Sequence, residues 1–180
     1  MRLTKVGYYA DFFVYPVMLL TLAVPALHDA PTAARLMWAL AALVGIAAWS
    51  LLEFIAHRFV LHRVPPFRGW HASHHADPRA LIGTPTWFSF AAIVIGVLAP
   101  LWWEAGFALA SGFTAGLSLG YLWYVGVHHA VHRWRAQHGS YLHRAKVRHA
   151  WHHGPGASCN FGVTTACWDV VFGSARDNRT

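Results

Sequence analysis

The chain has 180 residues, enough for one domain, yet 56% of it is hydrophobic and only 12% charged. An ordinary soluble domain carries roughly 25% charged residues, so a conventional water-soluble fold is excluded. The net charge of +7 does not point to nucleic acid, because the basic residues are dispersed between apolar runs rather than gathered on one face or tail.

Residues 1–10 form a short basic leader with Arg2 and Lys5, and no secretory cleavage signal follows the first apolar run. That run, residues 12–27, is uncharged and marked by Pro16 and Pro25. It is a little short of the ~20 residues that cross a bilayer, so it must borrow from residues 6–10 or thin the membrane. Further apolar runs cover 36–52, 80–103 and 105–127, and the last is long enough and free enough of charge to read as a transmembrane helix. Gly106, Gly112, Gly116 and Gly120 recur along it at nearly helical spacing, which predicts close helix packing. The expected fold is an all-α integral membrane domain over residues 1–180. Its four transmembrane helices lie near 8–27, 36–56, 83–103 and 105–127, and a cytoplasmic histidine-rich cap is formed by 57–80 and 128–180.

Charge supports this topology. With the N-terminus inside, Arg2, Lys5, Arg58, Arg63, Arg68, Arg79, Arg133, Arg135, Arg144, Lys146, Arg148, Arg176 and Arg179 all lie on the cytoplasmic side, and only Arg35 lies outside. Every clustered histidine falls on that same side. Cys159 and Cys167 have neither metal-site spacing nor a disulfide framework around them, and are expected as two buried or partly buried free thiols.

The histidines carry the chemistry. His71, His74 and His75 stand at i, i+3 and i+4, on one face of a helical turn, and His149, His152 and His153 repeat the spacing. Two wider pairs, His57/His62 and His128/His132, complete a set of ten among 14 histidines. Imidazole is the commonest protein metal ligand, and ionisable groups at the ends of membrane spans mark sites. Ten ligands suit two metals with about five each, whereas a structural zinc uses only about four. Glu53, one turn before His57, is a candidate acceptor for an imidazole N–H. His28, His129, His138 and His143 stay outside the set.

These clusters resemble the fatty acid hydroxylase/sterol desaturase superfamily, as does the tail Asn160-Phe-Gly-Val-Thr-Thr165 followed by Trp168-Asp169-x-x-Phe172-Gly173. The closest likeness is to the catalytic domain of fatty acid 2-hydroxylases. Their Tyr-Asp-x-x-His-Tyr-x-x-His segment is mirrored by residues 124–132, with Val125 in place of the acid and His129 in place of the second Tyr. Their Lys-x-x-His-x-x-His-His segment is mirrored by Lys146, His149, His152 and His153. The resemblance covers residues 52–174 and implies a membrane di-metal monooxygenase. Two iron ions would be the active pair, with zinc able to occupy the site in purified protein, and O2 would be the cosubstrate. A separate cytochrome b5-like or ferredoxin-like protein would supply electrons, since no fused donor domain is visible. Asn160 and Asp169 join Glu53 as expected supports behind the ligands. Trp151 and Trp168 neighbour ligands in the sequence and are expected to shape the pocket, and Arg144, Lys146 and Arg148 are candidate docking cations. The expected product is a hydroxylated fatty acyl chain. A sterol or carotenoid substrate, or desaturation, fits the same scaffold, and a non-catalytic membrane metal-binding protein is the reading from another class. A bacterial inner membrane is the expected location.

Overall fold

The computed structural model describes residues 1–156 and 158–176; Arg179, counted above among the inward cations, lies outside them. The regular secondary structure of the described residues is all helical, joined by loops, apart from one isolated antiparallel bridge between Arg2 and Ile82. In order, the helices are α1 (Lys5–Tyr9), α2 (Asp11–Leu27), α3 (Thr32–Ile55), α4 (Phe67–Ala76), α5 (Thr86–Ile93), α6 (Ala99–Ala105), α7 (Phe107–Arg133), α8 (Tyr141–His152) and α9 (Cys167–Val171). A π-helical turn, Ala56–Leu61, continues α3, and another, Val94–Leu98, joins α5 to α6.

The chain divides into two compact units, each assembled from separate stretches. One consists of residues 3–49 and 84–122. Here α7 is the inner helix. Its Ser111, Thr114 and Ser118 are fully buried, and Trp38 donates from Nε1 to Ser111 Oγ at 3.1 Å. The absence of side chains lets α3 and α7 approach. A Cβ on Gly116 would fall 1.8 Å from the Ala42 carbonyl oxygen, and one on Gly45 would fall 2.1 Å from that of Phe113. Gly112 and Gly120 are enclosed less tightly, a Cβ there falling 2.6 Å from the Trp38 carbonyl oxygen and 2.7 Å from the Trp49 side chain. Gly106 differs from the packing role expected of it: it adopts φ +79° with open space around it and breaks the chain between α6 and α7.

Two stretches in the described chain are long and apolar enough to cross a membrane, Thr32–Leu61 and Thr86–Ala105. Few of the side chains along them are buried, and Leu43, Ile95 and Trp103 are exposed, as lipid contact would require. Of the other two expected spans, α2 is shorter, with 17 residues, and α7 keeps most of its middle buried.

The second unit holds the described residues of 1–2, 50–83 and 123–176. Its apolar core packs Val127, Val131, Ala145 and Val163, with Tyr124 and Leu142 against them. Helix α8 starts at Ser140, whose hydroxyl accepts from His143 N at 3.1 Å and so satisfies one of the orphan donors at the helix start. All ten clustered histidines belong to this unit.

Candidate metal centre

The π-turn Ala56–Leu61 follows α3 directly and brings in the first pair of imidazoles. In an α-helix, residues five apart end up ~140° from each other around the axis. A π-helix bonds i to i+5, so residues at that spacing lie nearly above one another. His57 and His62 therefore face the same volume, and their rings stand 5.3 Å apart. The pair His128/His132 on α7 needs no such device, because i and i+4 already share an α-helical face.

The ten histidines gather into two groups of five, and within each group one nitrogen per residue lies within 4.8 Å of all the others. The first group is His57, His62, His71, His75 and His152; the second is His74, His128, His132, His149 and His153. The division follows one recipe used twice. Each group takes one wide pair, the outer two members of one triplet and the middle member of the other. Helix α4 sends His71 and His75 to the first group and His74 to the second, and α8 sends His149 and His153 to the second and His152 to the first. The stacked rings of His75 and His153, 4.1 Å apart, mark where the groups adjoin.

The nitrogens crowd more closely than hydrogen bonding explains. His71 Nε2 lies 3.0 Å from His57 Nε2, 3.1 Å from His62 Nε2 and 2.9 Å from His75 Nε2. In the second group, His132 Nε2 lies 2.9 Å from His149 Nε2, 3.1 Å from His74 Nε2 and 3.3 Å from His128 Nε2. A ring nitrogen offers either one proton or one lone pair, so most of these contacts cannot be hydrogen bonds and are repulsive. A cation at the focus would turn that repulsion into coordination, and an all-imidazole donor set suits iron, zinc or copper. Burial and then the neighbouring imidazoles hold His74 and His153 down to about 3, and His75 down to about 4. For His152, held to about 3, burial again is the main cause. These rings are neutral at pH 7, the form that ligates.

The expected supports act one step further back. Glu53 hydrogen-bonds the backbone and a hydroxyl of a loop rather than an imidazole. Its buried carboxylate accepts from Val163 N at 2.7 Å, Thr164 N at 2.9 Å and Thr164 Oγ1 at 2.5 Å. Asp169, fully buried, accepts from Phe161 N at 2.8 Å, Gly162 N at 2.7 Å and Ser174 Oγ at 2.7 Å. Asn160 takes a positive φ of 53° and bonds the backbone of Arg148 and Arg176. All three hold the loop 159–165, and two of its carbonyls meet clustered histidines. His57 Nδ1 donates to Phe161 O at 2.5 Å, and His152 Nδ1 donates to Cys159 O at 2.9 Å. Those acceptors could not be named in advance, because a backbone carbonyl leaves no letter in the sequence.

Other expectations are placed as follows. His129 packs its ring edge-on to Trp134 and is in neither group. Trp168 donates to Ser50 Oγ at 3.0 Å and Trp151 is exposed. Lys146 is bonded to Trp134 O at 2.7 Å, Arg144 is bonded to Gly139 O, and Arg148 is partly buried. Cys159 is a buried free thiol, but Cys167 is exposed rather than buried, because it opens the short helix α9 at the surface. Beside the first group lies an opening of about 290 Å³, lined by His62, His71, His75, Arg68 and the glycines 154 and 156.

A family model for fatty acid hydroxylases matches residues 42–174. The chain is 34% identical over 144 residues to fatty acid 2-hydroxylase of Macaca fascicularis, covering 72% of this chain and 38% of that one. It is 31% identical over 153 residues to the ceramide very long chain fatty acid hydroxylase SCS7 of Saccharomyces cerevisiae, covering 73% and 36%. It is 30% identical over 145 residues to the dihydroceramide fatty acyl 2-hydroxylase FAH2 of Arabidopsis thaliana, covering 72% and 58%. The chain thus spans little more than a third of the first of these relatives. A solved structure described as full-length scs7p with only the hydroxylase domain visible superposes with a TM-score of 0.82, at 20% identity, over 97% of this chain and 68% of that one.

Proposed function

This chain belongs to the fatty acid hydroxylase family, and on that premise we propose that it is a membrane oxygenase that hydroxylates a fatty acyl chain through two metal ions held by its ten clustered histidines. The observation that carries the proposal is the convergence of those histidines into two groups of five. His57, His62, His71, His75 and His152 would hold one iron ion, and His74, His128, His132, His149 and His153 the other. When bound, the iron pair supplies the redox chemistry by which O2, two electrons and two protons turn C–H into C–OH and water. Zinc fits the same ligands but has no redox chemistry, so a zinc-filled protein would be inactive.

The protein's own part is geometric. The carbonyls of Phe161 and Cys159 hold His57 and His152 in the tautomer that leaves Nε2 free. The opening beside His62, His71 and His75 gives reactants a way to the first group, and the described residues lining it include Arg68 and no acid. Electrons come from a separate carrier such as a cytochrome b5 or ferredoxin. The substrate is taken from the bilayer of a bacterial inner membrane, with the histidines on the cytoplasmic side. The four-span reading rests on thirteen inward cations against Arg35 alone. The fatty acyl reading is favoured over a sterol or carotenoid because the relatives named above carry acyl hydroxylase names.

Lipid mass profiling of cells with and without the chain tests this. Wild type is expected to add a lipid fraction heavier by one oxygen, and His71→Ala or His152→Ala to abolish it. A product lighter by two hydrogens would identify a desaturase instead. Undiminished hydroxylation by either variant would end the metal-oxygenase reading.

A further inference from the structure

We propose that the two histidine groups hold their metals with unequal affinity, and that the loop 159–165 makes the difference by fixing ligands of the first group only. This rests on the metal-binding reading above and concerns how the two sites fill.

The groups are built on one recipe, so a difference in what stands behind the ligands shows clearly. His152 and His74 are counterparts, each being the middle member of a triplet lent to the other's group. His152 Nδ1 donates to Cys159 O at 2.9 Å, whereas His74 Nδ1 is buried with no partner among the described residues. The Nδ1 atoms of His149 and His153 are also buried without one. In the first group, His57 gains a second such bond to Phe161 O at 2.5 Å.

Ligation through Nε2 requires the ring proton to sit on Nδ1. In His57 and His152 that proton has an acceptor, so the ligating tautomer and ring orientation are set before metal arrives, and the donor nitrogen becomes more basic. In His74, His149 and His153 the same tautomer buries an unsatisfied N–H. Carbonyl or carboxylate partners of this kind change metal affinity by about 10–100-fold. The first group is therefore the tight site and the second the exchangeable one.

The acceptors are themselves held. Glu53 takes Val163 N and Thr164 N on one oxygen and Thr164 Oγ1 on the other, and Asp169 takes Phe161 N and Gly162 N. The loop is tight as well, since a Cβ on Gly162 would meet Thr165 O at 2.1 Å. Glu53 and Asp169 are thus positioning residues for the first group. They act through backbone carbonyls, and among the described residues nothing equivalent stands behind His74, His149 or His153.

The test is zinc release from the zinc-loaded 180-residue chain in detergent, equilibrated against buffers of falling free zinc, with bound zinc read by elemental analysis. Two equivalents are expected to leave in two steps separated by about 10–100-fold in free zinc. His149→Ala should lose the weak step and keep the tight one, and His57→Ala the reverse. Glu53→Gln should move the tight step about tenfold or more toward the weak one and leave the weak step in place, which general destabilisation would not do. Release of both equivalents in one step from wild type overturns this inference alone, as does a Glu53→Gln shift of both steps together. A protein that binds no zinc overturns it together with the metal-centre reading. The wild-type profile decides even where a variant does not fold.

Discussion

Asp169 is buried completely and answers three donors with two oxygens, which makes it a sensitive single residue. In Asp169→Asn one oxygen becomes an NH2 group facing an N–H. Bonds to a charged acceptor contribute about 1.5–3 kcal/mol each, so a loss of about 2–4 kcal/mol is expected, read as a lower midpoint of thermal unfolding. Adjacent histidines offer a second test at this scale. His128 belongs to the second group, while His129 turns its ring to Trp134. His128→Ala should lower bound zinc toward one equivalent, and His129→Ala should leave it unchanged, both measured by elemental analysis. Helical periodicity separates these two neighbours in the sequence. It did not show that Glu53 acts on the clustered histidines through the loop, because that contact joins residues 110 positions apart.

At the scale of the element, the glycines of α7 and its start divide into two kinds. A side chain at Gly116 meets backbone, the Ala42 carbonyl oxygen and carbon at 1.8 and 2.6 Å, which cannot rotate away. Gly106 has room but a backbone at φ +79° and ψ 161°, a region that is essentially glycine's alone, where a side chain costs about 1–3 kcal/mol. Gly116→Ala is therefore expected to cut the yield of folded protein sharply, and Gly106→Ala only to lower the melting temperature by a few degrees, compared by size-exclusion yield and thermal melts in detergent. Spacing revealed Gly112, Gly116 and Gly120 as a packing face. It included Gly106 wrongly, because periodicity does not register a chain break. The π-turn was equally hidden: five-residue spacing looks like a mismatch until the helix itself widens to accommodate it.

At the scale of the whole molecule, the exposed Cys167 and the buried Cys159 form a built-in topology probe. With the histidine unit on the cytoplasmic side, a membrane-impermeant maleimide should label inverted membrane vesicles at Cys167 and leave intact spheroplasts unlabelled. Labelling of intact spheroplasts would reverse the proposed orientation. Metal also couples to stability. His74, His75, His152 and His153 titrate at about 3 to 4, below an ordinary histidine near ~6.5. The unfolded chain binds their protons first, so the stability they contribute is complete above ~6.5 and is lost as pH falls toward the folded values. Chelator-stripped protein should melt at progressively lower temperature from pH 7 to 5. Zinc-loaded protein should melt higher at pH 7, because ligand bound only by the folded state adds stability.

Local pattern in the chain sufficed for much of this protein. Apolar runs announced helices, charge suggested their orientation, and the i, i+3, i+4 spacing announced which imidazoles share a face, since each of these is written within a few consecutive residues. The tertiary structure alone decided how the ten histidines divide, because each triplet is split between the groups by packing with distant partners such as His75 and His152, 77 positions apart. It alone decided which ring nitrogens find an acceptor, because the acceptors are carbonyls of a loop that two buried carboxylates hold in place. A backbone oxygen has no identity in sequence; only the folded chain gives it a position.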